Sequence, residues 1–151
     1  MVEISLMQLV DTVRDGDPIA KLVLDPSGNA ETFFKYKGCL CIAYLPGETT
    51  HEALFRRTKH SVKSGDTLVY SLGGGRDLQI SQFFDPQVLP EQILNRDLLT
   101  TEVLAPFKEE NEYCCVCNRD FHFVILLNTN EVPEWAERLV SQGKLKVIRV
   151  V

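Results

Sequence analysis

Apolar and polar positions along the 151-residue chain change period several times, and each change predicts an element. Leu6, Leu9, Val10 and Val13 fall at i, i+3, i+4 and i+7, one apolar helical stripe facing a core. Ser5 and Gln8 have the spacing of a capping box, Ile4 can staple onto Leu9, and Gly16 and Pro18 stop the helix. IAKLVL then runs into Asp25-Pro26-Ser27-Gly28, whose composition suits a type I turn. TFFKYK and CLCIAYL read as the returning strands of this hairpin, with a break at Gly38. A second helix is expected from Thr49, where Thr49 and Glu52 repeat the capping spacing, to about Val62.

DTLVYSL and DLQISQFF, joined across Gly73-Gly74-Gly75, read as a second hairpin, followed by a helix from Pro90 to Leu99. YCCVC and FHFVILL flank Asn118-Arg119-Asp120 and suggest a third. Asn130 is placed to cap a helix with Val132, Trp135, Ala136, Leu139 and Val140 as its buried stripe and Gly143 after its end. The closing LKVIRVV is β-branched, and strand, helix, strand in that order pair in parallel through a right-handed crossover. Antiparallel hairpins plus this C-terminal β-α-β unit predict one α+β domain over residues 1–151, a mixed sheet carrying about three to four helices.

Composition narrows the class. With 44% hydrophobic and 25% charged residues the chain is an ordinary globular sequence, which sets disordered and fibrous classes aside. MVEISLMQLV has no basic n-region, and the run from Phe123 to Leu127 is far too short for a membrane helix, so a cytoplasmic protein is expected. Five cysteines, two of them adjacent at Cys114 and Cys115, suit a reducing compartment better than a disulfide framework. A net charge of −5 argues against broad binding to a phosphate backbone.

Three constellations bear on chemistry. Cys114-x-x-Cys117 has the spacing of half a zinc knuckle, and Cys39-x-Cys41 could supply the other thiolates. Both pairs lie in β-favouring runs without a tight turn, and side chains three apart on a strand point to opposite faces, so core packing is the preferred role and no cofactor is expected. Cys114 could alternatively act as a nucleophile with His122 as its base and Arg76 or Arg119 near an anionic substrate. Other signals are weaker: His51-Glu52 has Phe55 where a second metal-binding His belongs, Glu109, Glu110 and Glu112 suit a solvated loop, and Gly73-Gly74-Gly75-Arg76 suits a permissive turn better than an anion cradle.

The one concentrated cationic stretch is RRTKHSVK. On a helix Arg56, Lys59, His60 and Lys63 share a face, with Arg57 beside them. A basic face on an acidic body, with no assembled catalytic set, points to a small binding or regulatory module of inhibitor, immunity, chaperone or adaptor type. Another protein is the expected partner, nucleic acid a weaker one, and a membrane none. A thiol-dependent hydrolase or transferase and a structural zinc domain are the alternatives.

Overall fold

The structure, a computed structural model, describes residues 2–37, 39–74 and 77–151, and of Cys39 the backbone alone. The expectations at Gly38, Gly75 and Arg76 lie outside the described residues. Six strands form one sheet: β1 (Val2–Ile4), β2 (Ala20–Leu24), β3 (Cys39–Ile42), β4 (Thr67–Ser71), β5 (His122–Leu127) and β6 (Leu145–Val150). Their spatial order is β1-β6-β2-β5-β4-β3, and every neighbouring pair is parallel. The α-helices among the described residues are α1 (Leu9–Val13), α2 (Asn29–Lys37), α3 (His51–Ser64) and α4 (Glu134–Ser141).

This is an α/β fold, and the expected α+β arrangement of antiparallel hairpins is overturned. The reason lies in the central strands. Every residue of β2, β4 and β5 is buried, because helices or ordered loops cover both faces. Parallel strands of this kind carry near-continuous apolar runs, whereas hairpins with a wet face alternate.

Each misread hairpin has a local cause. Asp25 closes no turn between strands; its carboxylate accepts from Ser27 N at 3.0 Å, Ser27 Oγ at 2.6 Å and Ala30 N at 2.6 Å, and so launches α2. TFFKYK is therefore helical, with Ala30 and Phe34 buried at i, i+4 spacing. DLQISQFF contains a 3-10 turn over Ile80–Phe83 in place of a strand. The expected helix from Pro90 breaks into two 3-10 turns, Glu91–Leu94 and Arg96–Leu98.

YCCVC forms no strand either. Asn118 N donates to Val62 O at 2.8 Å, which lays this segment against the end of α3. Gly65 permits the approach: its φ is +82°, and a Cβ there would stand 2.7 Å from Asn118 Oδ1. Two helix starts shift slightly, α3 being capped by Thr50, whose Oγ1 accepts from Ala53 N at 3.1 Å, and α4 following Pro133 in place of Asn130.

The strand alternation builds two cores. On one face Val23, Val69, Val124, Leu126 and Ile148 pack beneath α1 and α2, together with Leu9, Val13 and Phe34. On the other, Leu22, Leu24, Leu68, Tyr70, Phe123 and Ile125 pack beneath α3, α4 and the long β4–β5 connection, which contributes Leu89, Leu104 and Phe107. β5 and β6 are parallel, as the C-terminal β-α-β pattern predicts, but β2 lies between them. At their carboxyl ends the neighbours β2 and β5 send their chains to opposite faces, β2 to α2 and β5 to α4. Open α/β sheets bind ligands at such a switch, outside the carboxyl ends of the strands.

No helix among the described residues is long and apolar enough to cross a membrane.

Candidate functional site

The basic stretch does lie on one helix, α3, beside a surface groove lined by Phe55, Arg56, Lys59, His60, Lys63 and Glu109. Most of its charge is compensated within the chain. Lys59 pairs with Glu109, Lys63 with Glu112, Arg57 with Glu48, and His60 Nε2 lies 3.0 Å from Asp66. The hydrogen bond and charge of Lys59 hold the Glu109 carboxyl below its ordinary range, and Lys63 does the same for Glu112. The acidic loop around residue 110 is thus the counter-charge of the basic face, with Arg56 exposed between them and in no ion pair among the described residues.

Among the described side chains the cysteines form no metal cluster. Cys41 is buried in β3, where its Sγ donates to Glu48 O at 3.5 Å and meets Arg57 Nη1 at 3.4 Å. Burial pushes its thiol up to about 11, with Arg57 opposing. Cys115 is buried, while Cys114 and Cys117 are partly exposed. Burial raises the Cys117 thiol to about 11 against the opposing charge of Arg96, and it raises Cys115 as well. Among the described residues no three His, Cys, Asp or Glu side chains come together as a metal site, and the Cys39 side chain is outside that set.

His122 is not joined to Cys114. Its Nδ1 lies 2.8 Å from Asp120 O and its Nε2 3.4 Å from Arg96 Nη1. Burial lowers its pKa, Asp120 O opposes this, and Arg96, Arg14 and Lys21 add to the lowering. Arg96 also donates to Phe121 O at 2.9 Å, so it ties the β4–β5 connection to the start of β5. Arg119 is exposed.

A different constellation forms at the carboxyl ends of β3, β4 and β5. A cleft of about 740 Å³ is lined by Tyr44, Leu72, Gly73, Gly74, Asp77 and Leu78, closed on the β5 side by Asn128 and Thr129. Its backbone is tightly held: Leu72 N donates to Leu126 O at 2.9 Å, and Asn128 N donates to Gly73 O at 2.7 Å. Gly73 has φ +67°, and a Cβ there would come within 3.2 Å of the Tyr44 ring, so glycine lets the ring lie over the end of β4. The Tyr44 hydroxyl donates to Glu31 Oε1 at 2.7 Å, and the buried Ser71 hydroxyl donates to the same oxygen at 2.6 Å. The Glu31 bond raises the phenol to about 12. Asn128 Oδ1 is buried without a hydrogen-bond partner among the described residues.

The helix starts at this rim carry acceptors of the protein's own. Asp25 accepts from Ala30 N in the first turn of α2 and Thr50 from Ala53 N in that of α3, while Glu134 and Glu137 stand in the first turn of α4. Helix amides that would otherwise favour an anion therefore face the protein's own acceptors.

None of Glu31, Tyr44, Ser71, Asp77, Asn128 and Thr129 stands out in the sequence. The usable signal was positional, since Gly73-Gly74 and Asn128-Thr129 follow directly on apolar runs that become parallel strands. With the cleft described, the comparisons with known proteins add no relative: no family model matches the chain, and no curated protein matches it.

Proposed function

We propose that this chain is a small-molecule-binding α/β domain whose ligand sits at the carboxyl ends of β4 and β5. The observation that carries the reading is the cleft of about 740 Å³ at the carboxyl ends of β3, β4 and β5, on the β4 side of the switch strand β5. Its size falls within the roughly 300–1,000 Å³ of typical ligand pockets, and its lining mixes apolar walls with a few convergent polar groups. Docking through α3 is the less favoured role, because a charged partner would meet cations already paired with Glu48, Glu109 and Glu112. Ser71 and Tyr44 both donate to Glu31, so one carboxylate holds this rim of the cleft in place.

A fragment screen followed by amide resonances tests this. Bound fragments should shift Gly74, Asn128 and Thr129, and Thr129→Trp, which fills the cleft, should abolish those shifts. Fragments that leave these amides unmoved, or shifts that survive in T129W, would overturn the reading.

A further inference from the structure

Tyr44 keeps 44% of its surface exposed beside the cleft, yet its polar end is not free. The hydroxyl donates to Glu31 Oε1 at 2.7 Å, the same oxygen that accepts from buried Ser71 at 2.6 Å. Tyr36 and Tyr113 are exposed as well, but among the described residues nothing bonds their hydroxyls. Gly73 backs the ring, and a Cβ there would come within 3.2 Å of its Cδ1 carbon. Backbone on one side and a bonded hydroxyl at the tip fix the ring before any ligand arrives. A group fixed in advance loses little freedom on binding, so more of its contact appears as affinity.

The protein supplies this ring with no aromatic neighbour. The ring pairs among the described residues are Phe33 with Phe34, Phe55 with Phe107, and Tyr70 with Phe83 and with Phe123, all without Tyr44. Tyr44, Leu72 and Leu78 together give the cleft an apolar wall. A saturated body laid on that wall gains only what burial of its surface supplies. A flat ring gains that and more, because offset-stacked and edge-to-face aromatic pairs are worth more than their buried area.

We infer that the cleft takes a planar aromatic ring, which packs on the ring of Tyr44. The Tyr44 hydroxyl takes no part in the contact, since Glu31 holds it. This deepens the ligand-binding reading above and rests on it.

Two probes isolate the contribution of flatness. 2-Naphthol and decahydro-2-naphthol share a carbon skeleton and a hydroxyl, and only the first is planar. Titrated against labelled protein, both should shift the Gly74 and Thr129 amides, with 2-naphthol binding about fivefold more tightly. The ring current of Tyr44 should also move the naphthol proton resonances on binding. Tyr44 is half-exposed, so Tyr44→Leu should fold; it should erase the preference for the flat ring and leave decahydro-2-naphthol nearly unchanged. Tyr44→Phe keeps the ring and should keep the preference. Equal binding of the two probes, a preference that survives in Y44L, or one that is lost in Y44F would overturn the aromatic contact and leave the ligand site standing. Absence of binding by both probes together with the wider fragment set would overturn both readings.

Discussion

At the amino ends of β2 and β5 the charged groups are answered, Lys21 and His122 from within the core and Arg14, Asp15 and Arg96 from nearer the surface. Lys21 is almost fully enclosed, yet its Nζ has Asp15 at 3.3 Å, Asp17 at 3.9 Å and Ile19 O at 3.3 Å. Arg96 reaches Phe121 O, His122 and Gly16 O, and Arg14 reaches Asp120 O. At the carboxyl ends of β4 and β5 the reverse holds: an open cleft and a buried Asn128 oxygen with no hydrogen-bond partner among the described residues. A closed network of this kind serves folding, because each member would cost free energy if left alone. A buried acceptor without a partner costs stability. Charged residues therefore mark architecture at the amino end of this sheet.

The comparison can be broken most forcefully at Lys21. Asp15→Ala with Asp17→Ala leaves this ammonium buried with a single carbonyl, and should lower unfolding free energy by roughly 3 kcal/mol in urea titrations. A loss under about 0.5 kcal/mol, the range of ordinary surface changes, would mean that the amino-end network is not structural.

A smaller effect is expected at His122. Burial lowers its folded pKa below the ordinary 6.5, so the unfolded chain takes up a proton first as the solution is acidified. Its contribution to stability is present above about 6.5 and is lost as pH falls through that value. Urea midpoints should drop between pH 8 and 5.5, and His122→Gln should flatten that drop. An unchanged slope in H122Q would assign the acid sensitivity to the carboxylate pairs.

The smallest change is expected at Asn128. Removing an acceptor that has no hydrogen-bond partner among the described residues should shift stability by less than about 0.5 kcal/mol. A loss above about 1 kcal/mol on Asn128→Ala would show that this oxygen is satisfied in the folded protein and would erase the contrast.

Some elements were legible because their signals are local. The capping spacing of Ser5 and Gln8 holds, with Ser5 N donating to Gln8 Oε1 at 3.0 Å, and the α4 stripe packs through Trp135, Ala136 and Leu139. The cationic face of α3 was legible for the same reason, since four residues within two turns define it. Its neutralisation was not, because Glu109 and Glu112 reach it from a distant loop. The cysteines near residue 115 were read as interior positions of a strand; Cys115 is buried, but on a loop against α3, and Cys114 and Cys117 are partly exposed.

The sequence by itself determined which stretches are apolar enough to be enclosed, where several helices begin and end, and that thiols such as Cys41 and Cys115 pack inside. Strand direction was decided only by tertiary structure. A continuous apolar run such as FHFVILL is compatible with either partner orientation, and the choice follows from what covers its two faces. Direction then decided the candidate site, because parallel strands gather their carboxyl ends on one edge and bring Tyr44, Asp77 and Asn128 together from three separate loops.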